Sequence, residues 1–169
     1  GIAAFKIAAL VSQLVQDGLM VRVAMSRDAH HFIGARTFAG LTGQAVIERS
    51  TQTDADGTVP HIDATRSASL LVVAPATADL LARLAAGTCD DAVTLAAVTC
   101  RCPVLLCPAM NDAMWTNSGV QRNVAELRER GFELLGPETG HLAEGYDAIG
   151  RMVEPEVIAD AVLARCGPG

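Results

Sequence analysis

The stretch Pro103-Val104-Leu105-Leu106-Cys107-Pro108-Ala109-Met110-Asn111 joins an apolar run to a polar amide just beyond it. Residues 103–107 have the composition of a buried strand. Ligands of open α/β sheets bind at the carboxyl ends of the strands, so this strand would deliver the Asn111 amide to a ligand site. Asparagine is also a good cap residue, and Asn111 could instead only cap a helix that begins around Met114. The spacing alone leaves both roles open.

Strand-like and helical segments alternate on both sides of this stretch. Predicted strands span residues 19–25, 45–47, 70–74, 103–107 and 132–135. Predicted helices span residues 3–15, 35–41, 120–130 and 155–165, with two more that Thr77 and Asp90 cap and that run to Ala86 and Val98. Residues 50–58 have the composition of a surface loop, and a glycine-rich loop precedes the last helix. This order predicts an α/β fold with a doubly wound, mostly parallel, Rossmann-like sheet in a single domain, residues 1–169.

The composition narrows the class of ligand. The 169 residues are 50% hydrophobic but only 4% aromatic, which predicts a core of alanine, valine and leucine. The net charge of -6 is spread along the chain, whereas a nucleic-acid surface needs clustered lysine and arginine. We therefore expect a small-molecule or peptide ligand and no nucleic-acid partner.

Neither a membrane segment nor a metal centre is predicted. The sequence has no apolar stretch of roughly 20 residues and no basic-then-apolar leader, so we expect a cytoplasmic protein with no membrane partner. The five cysteines include the close pair Cys100 and Cys102. Zinc ligands usually come as two such clusters, so one pair among apolar neighbours favours reduced thiols and no metal.

The beginning of the sequence resembles a turn between a strand and a helix. Backbone N–H groups of Gly1-Ile2-Ala3-Ala4 could cradle a phosphate there, yet no strand precedes them. We expect the natural protein to carry roughly five to ten residues before Gly1, the usual length of a strand and its turn.

Five ordered segments of the chain share a pattern with known proteins. They are Gly1-Ile2-Ala3-Ala4-Phe5-Lys6, Pro60-His61-Ile62, Ala74-Pro75-Ala76-Thr77-Ala78, Pro108-Ala109-Met110-Asn111-Asp112-Ala113-Met114-Trp115 and Gly150-Arg151-Met152. Together they resemble the homo-oligomeric flavin-containing cysteine decarboxylases, a family that includes phosphopantothenoylcysteine decarboxylases and the peptidyl-cysteine decarboxylases of lantibiotic and related pathways.

The resemblance implies FMN bound between subunits of a trimer, sometimes with four trimers in a dodecamer. Oxidised flavin accepts two electrons from the CH2–SH group, after which the carboxylate can leave as carbon dioxide. The resemblance assigns the FMN phosphate to the Gly1, Ile2 and Ala3 loop and to Ser26. It places Phe32 on the flavin ring and Pro75, Ala76 and Thr77 along its other edge. Ser26 and Thr77 could instead be simple helix caps.

The resemblance also names catalytic residues. His61 would perform acid–base catalysis, which suits an imidazole, and Asn111 would orient the substrate carboxylate. Met110 would shape the pocket beside the flavin. His61 could instead be a helix-start or core histidine, and Met110 plain core packing. Asp79 stands where the family often has asparagine, which brings a negative charge near a site that handles a carboxylate.

One departure from the family pattern affects which substrate the sequence predicts. Ala143, Glu144 and Gly145 occupy the place of an Ala-Cys-Gly loop whose cysteine, in phosphopantothenoylcysteine decarboxylases, donates a proton for reduction of the enethiol. A glutamate is ordinarily ionised at neutral pH and is a poor replacement for that donor. We therefore expect the reaction to stop at the enethiol, as in oxidative decarboxylation of the C-terminal cysteine of a precursor peptide for aminovinyl-cysteine formation. Residues 140–150 would form a lid with glycine hinges over the peptide end.

Two alternatives remain open. The chain could be a decarboxylase of coenzyme A biosynthesis, in which Glu144 or another acid supplies the proton. It could also be a non-enzymatic flavin-binding regulatory subunit, although the presence of both His61 and Asn111 weighs against that function.

Overall fold

The fold is a parallel sheet between two layers of helices. The computed structural model describes residues 1–51, 53, 57 and 59–167, without the side chain of His61. Three parallel strands of this described part form a sheet in the order β1 (Leu71–Ala76), β2 (Val104–Pro108) and β3 (Glu133–Leu134). Every residue of the central strand β2 is buried, which explains its continuous apolar run.

Helices follow or separate the strands. They are α1 (Phe5–Gln16), α2 (Ala35–Thr42), α3 (Pro60–Ser67), α4 (Ala78–Ala85), α5 (Ala92–Thr99), α6 (Asp112–Thr116), α7 (Ser118–Glu129) and α8 (Pro155–Cys166). Short 3-10 turns precede α1 at Ile2–Ala4 and α2 at Arg27–His31.

Alternate residues of β2 supply the two cores. Leu106 packs in one cluster with Leu81 of α4 and Leu127 of α7. Leu105 packs on the opposite face with Leu10 of α1 and Ile158 of α8. Because side chains of a strand alternate between faces, one strand holds helices on both sides. The predicted single-domain, doubly wound fold is confirmed.

The predicted strands at 19–25 and 45–47 were wrong in extent. Only one parallel bridge joins them within the described residues, between Ala24 and Ile47. Its hydrogen bonds run from the Met25 N–H to the Ile47 carbonyl and from the Ile47 N–H to the Val23 carbonyl, each 2.9 Å long. The apolar side chains still pack in a core cluster, but apolar composition alone does not supply the consecutive backbone pairs of a strand.

The predicted glycine-rich loop is a β-hairpin. Its antiparallel strands are β4 (Glu138–His141) and β5 (Asp147–Arg151). Arg151 Nη2 donates a 2.6 Å hydrogen bond to Glu138 Oε1 across the hairpin. Glycine is unfavourable in strands, so composition did not predict this pairing, which depends on contacts between chain segments.

Two local details also differ from expectation. The N-cap of α5 is Asp91 and not Asp90, because Asp91 Oδ1 accepts hydrogen bonds from the N–H groups of Val93 and Thr94, each 2.9 Å long. Helix α3 was not predicted; Pro60 is its first residue, a position that suits proline. The predicted surface loop falls partly outside the described residues, which omit Gln52, Asp54, Ala55, Asp56 and Thr58.

Candidate active site

The segment after β2 is held at the carboxyl edge of the sheet. The Ala109 N–H donates to the Ala76 carbonyl at the end of β1, over 3.1 Å. The Met110 N–H donates to the Gly150 carbonyl of β5, over 3.0 Å. These bonds place Asn111 where strand, helix and hairpin meet, the location at which open α/β sheets bind ligands.

The Asn111 side chain caps a helix and also presents its donors to the hairpin. Its Oδ1 accepts a 2.9 Å hydrogen bond from the Ala113 N–H, so the cap interpretation holds for α6, which begins at Asp112 and not around Met114. Its Nδ2 donates to Glu144 Oε1 and to Tyr146 Oη, each over 3.0 Å. Since the cap fixes Oδ1 on the helix side, the Nδ2 donors must face away from it.

The turn of the hairpin covers this amide. Ala143, Glu144 and Gly145 lie between β4 and β5, and the Leu142 N–H closes the turn on the Tyr146 carbonyl over 2.9 Å. The predicted substrate loop therefore lies against the predicted carboxylate-binding asparagine.

Tyr146 is a site residue that the sequence interpretation missed. Its hydroxyl donates a 2.7 Å hydrogen bond to Asp112 Oδ1 while it accepts one from Asn111. The bond to Asp112 raises the pKa of Tyr146 above its ordinary value. One signal was available: the only tyrosine of the chain lies two residues after Glu144.

Gly150 permits the close contact between hairpin and strand. Its φ is 137°, and a Cβ there would lie 2.2 Å from the Met110 carbonyl oxygen. Met110 itself is partly buried and packs against the core cluster that contains Leu81 and Leu127. Its side chain therefore packs in the core, and its predicted contact with the flavin pocket stays a prediction.

Most of the predicted flavin contacts meet in a second site, a cleft between the 23–33 segment and β1. The cleft has a volume of about 650 Å³, and ligand pockets ordinarily measure roughly 300–1,000 Å³. Five predicted residues line it: Gly1, Ser26, Phe32, Pro75 and Thr77.

Three predicted flavin contacts do not line the cleft. Ile2 is exposed, Ala3 packs against the core cluster of α1 and α8, and Ala76 is completely buried. A cofactor could meet these residues only through backbone atoms or from another direction.

The cleft has features that suit a flavin. Phe32 is 48% exposed and offers an aromatic face. Ser26 makes no cap hydrogen bond in the turn that it precedes. A Cβ at Gly1 would come within 3.1 Å of Thr77 Cγ2, so the bare backbone keeps this end open. Thr77 Oγ1 accepts a 3.3 Å hydrogen bond from the Leu80 N–H, so Thr77 is also a cap.

Four of the charged residues on the cleft wall, Asp79, Arg83, Asp90 and Asp91, are paired with one another. Arg83 Nη2 contacts Asp91 Oδ2 at 2.9 Å and also bonds Asp90. The hydrogen bond from Arg83 lowers the pKa of Asp90. Asp79, the departure from the family pattern, lies 3.8 Å from Arg83 Nη1, so its negative charge has a cation beside it.

His61 is the second residue of α3, as its helix-start alternative required. Its side chain lies outside the described part of the structure, so only the backbone of this predicted catalytic residue is placed.

The cysteine pair lies at the opposite end of β2. Cys100 Sγ and Cys102 Sγ are 2.8 Å apart. Burial, and then the hydrogen bond with Cys100, raise the pKa of Cys102 to about 12.

Among the described residues no group of three or more histidine, cysteine, aspartate or glutamate side chains could hold a metal ion. Likewise, no described helix combines the length and apolar character needed to cross a bilayer.

Curated relatives resemble nearly the whole chain. The coenzyme A biosynthesis bifunctional protein CoaBC of Mycobacterium bovis is 46% identical over 159 residues, which are 94% of this chain and 37% of that protein. The protein of that name from Bacillus subtilis is 39% identical over 158 residues, which are 94% of this chain and 39% of its own length. The chain thus spans about two fifths of the length of these relatives.

Solved structures share the fold and the predicted class of chemistry. A mutant PPC decarboxylase complexed with pantothenoylaminoethenethiol has a TM-score of 0.84 and 28% identity, covering 96% of this chain and 91% of that chain. The FMN-dependent cysteine decarboxylase SpaF has a TM-score of 0.81 and 28% identity, covering 99% and 93%. The family model described as Flavoprotein matches residues 1–167. The predicted resemblance to flavin-containing cysteine decarboxylases is confirmed, and the chain belongs to the Flavoprotein family.

Proposed function

We propose that this chain is an FMN-dependent decarboxylase that removes the cysteine carboxylate of phosphopantothenoylcysteine in coenzyme A biosynthesis. The observation that carries the proposal is the Asn111 amide, whose donors already hold a carboxylate oxygen of Glu144 at 3.0 Å. A substrate carboxylate can take the same position. The resemblance to coenzyme A biosynthesis proteins at 46% and 39% identity favours this substrate over the peptide that the sequence first suggested.

The cofactor belongs to this proposal. Flavoprotein family membership and the FMN-dependent neighbour SpaF support FMN. Gly1 and Ser26 would hold the phosphate end, and Phe32, Pro75 and Thr77 the ring, because they share the cleft. When bound, the flavin supplies a two-electron acceptor that makes decarboxylation next to a thiol possible.

The remaining roles belong to side chains of this protein. Asn111 orients the carboxylate, with its amide direction set by the cap bond to Ala113. His61 performs the acid–base step, for which an imidazole is suited near neutral pH. A homotrimer, or a dodecamer of four trimers, is the assembly that the family resemblance suggests. Coenzyme A biosynthesis would place the enzyme in the cytoplasm.

Oxidative decarboxylation of a peptide is a second candidate. It is favoured by Glu144 in the place of the loop cysteine and by the likeness to SpaF across 99% of this chain. The two candidates differ in one product property, because the peptide reaction ends at the enethiol and the coenzyme A reaction at the saturated thiol.

Mass spectrometry separates these candidates. The purified protein, loaded with FMN, is mixed in separate reactions with phosphopantothenoylcysteine and with a cysteine-terminated peptide. We expect phosphopantothenoylcysteine to lose a mass of about 44, for carbon dioxide alone, because the flavin returns its two electrons. A loss of about 46, from the peptide only, would favour the second candidate. A colourless protein that does not bind added FMN would contradict both.

Asn111→Asp is the matched variant for this experiment. Aspartate caps helices as well as asparagine does, so α6 should be retained. The variant replaces the Nδ2 donors with a negative charge, so we expect KM to rise by about tenfold or more, the effect of losing one charge-assisted hydrogen bond. An unchanged KM together with an unchanged kcat would remove Asn111 from carboxylate binding.

A further inference from the structure

The proposed function raises a chemical question at the hairpin. A saturated thiol product requires a proton on the carbon that lost its carboxylate, and Glu144 stands where the family has a cysteine donor. The inference below rests on the proposed function, since only that reaction needs this proton.

Three side chains surround the outward face of Asn111. Glu144 Oε1 accepts a hydrogen bond from Asn111 Nδ2 at 3.0 Å, and Asp112 Oδ1 accepts one from Tyr146 at 2.7 Å. Both carboxylates therefore act as acceptors in this arrangement. The Tyr146 hydroxyl is the one O–H donor among these three groups, and it contacts the Asn111 amide directly at 3.0 Å.

We propose that Tyr146 donates the proton that reduces the enethiolate to a saturated thiol, in place of the cysteine of the family loop. Tyr146 lies two residues from Glu144 in the same turn, so the turn delivers its hydroxyl to the position that a carboxylate held by Asn111 would occupy. Rotation about the phenol C–O bond turns the O–H from Asp112 towards that position.

The step balances in atoms and electrons. The O–H bond of Tyr146 breaks, and its proton forms a C–H bond with the former α-carbon through the electron pair of the C=C bond. A sulfur lone pair closes a C=S bond. A bound flavin would supply, as a hydride equivalent, the two electrons that turn this C=S group into the thiolate, so no outside reductant is needed. Tyr146 is 44% exposed, and its phenolate takes a new proton from water.

The surroundings of Tyr146 favour its protonated form, which a tyrosine ordinarily has at neutral pH. Asp112 raises the pKa of Tyr146 through their hydrogen bond, and the charge of Glu144 acts in the same direction. A hydroxyl that held no proton at neutral pH could not perform the step, whereas this one retains it.

Tyr146→Phe tests the inference in the FMN-loaded protein with phosphopantothenoylcysteine. In air-saturated buffer, where dissolved oxygen can reoxidise the flavin, we expect the main product to change from a mass loss of about 44 to one of about 46, because decarboxylation continues and protonation stops. The ratio of saturated to unsaturated product should fall by about 10²-fold or more, the usual contribution of a positioned acid. Bound flavin, read from its visible absorbance, should stay unchanged.

Glu144→Gln tests the rival donor, because it removes the acid while it retains the size of the side chain and an acceptor for Asn111. We expect this variant to make the saturated product. A product change in Glu144→Gln as large as in Tyr146→Phe would overturn the assignment, as would a saturated product from Tyr146→Phe.

Tyr146→Cys gives an independent readout if the phenylalanine variant loses flavin or fails to fold. A thiol at this position should restore saturated product, and exclusive formation of enethiol would contradict the inference. The wild-type result separates the two proposals. If the wild-type protein converts phosphopantothenoylcysteine with a mass loss of about 46, the proposed function fails. If the wild-type protein and Tyr146→Phe both give a mass loss of about 44, the proposed function stands and this inference alone fails.

Discussion

At the scale of single residues, the Asn111 cap is compatible with the ligand role that the sequence had presented as its alternative. The Asn111 oxygen caps α6 and its nitrogen faces the hairpin, so the cap fixes the direction of the donors that we propose for carboxylate binding. A side-chain amide can serve both because it carries an acceptor and two donors on opposite sides. Under the proposed function, the cap would orient the amide before the substrate carboxylate binds.

Asp112 should control the titration of Tyr146. The phenol donates to Asp112, which raises the pKa of Tyr146, while the hydrogen bond from Asn111 acts in the opposite direction. Removing the charge in Asp112→Asn should therefore lower the alkaline midpoint. The chain has a single tyrosine, so ultraviolet absorbance of the phenolate reports this residue alone. Glu156→Gln, a change of an exposed acid in α8, should leave the midpoint where it is. Equal midpoints in wild type and Asp112→Asn would show that this hydrogen bond does not form in solution.

At the scale of elements, the β4–β5 hairpin brings three predicted loop residues to the site. The hairpin contacts the segment after β2 through the hydrogen bond from the Met110 N–H to the Gly150 carbonyl. This bond lies next to the turn that covers Asn111. Glycine has a low strand propensity, so the sequence predicted a loop over residues 140–150. The structure instead has the paired strands β4 and β5 on either side of a short turn. The turn at Leu142–Tyr146 is the part that remains a loop.

Gly150→Ala should separate the hairpin from the site. The φ of 137° and the 2.2 Å approach to the Met110 carbonyl leave no room for a Cβ. We expect the free energy of unfolding to fall by about 1–3 kcal/mol, the cost of a residue held in a glycine conformation. Gly40→Ala in α2 is the control, since nothing lies within 4 Å of its added Cβ; helix formation predicts a gain of about 0.5–1 kcal/mol there. Denaturant unfolding measures both, and similar changes in the two variants would contradict the close approach.

At the scale of the whole molecule, the first and last helices close one face of the sheet. Lys6 Nζ of α1 donates to both carboxylate oxygens of Glu154, the residue before α8, at 2.8 Å each. The hydrogen bond from Lys6 lowers the pKa of Glu154, and the charge of Arg151 adds to the effect. The pair connects residues 148 positions apart in the chain.

Stability should depend on pH through this pair. The pKa of Glu154 is lower in the folded than in the unfolded chain, so the pair stabilises above the ordinary value of 4.5 and this contribution is lost as the pH falls. A double-mutant cycle of Lys6→Met and Glu154→Gln should give a coupling of about 0.2–1 kcal/mol near pH 7, since Glu154 is partly exposed. The coupling should disappear at about pH 2. A coupling that is equal at both values would exclude the carboxylate as its source.

Much of the architecture was predictable because it depends on local patterns. The apolar run of β2 and the Thr77 cap were each predicted from neighbouring residues and each occur. The strand expected at 19–25 was wrong because a strand depends on backbone partners that lie elsewhere in the chain. Tyr146 was missed for the same reason: its partners, Asn111 and Asp112, lie 35 and 34 positions away.

The sequence by itself determined the buried central strand, most of the helices, the two-sided core and the family, since periodicity, caps and ordered motifs are carried by near neighbours. Only the tertiary structure decided that Glu144 and Tyr146 meet at the Asn111 amide, and that Lys6 stands beside Glu154. Such contacts depend on directions and distances between segments that are far apart in the chain, and linear spacing does not contain them.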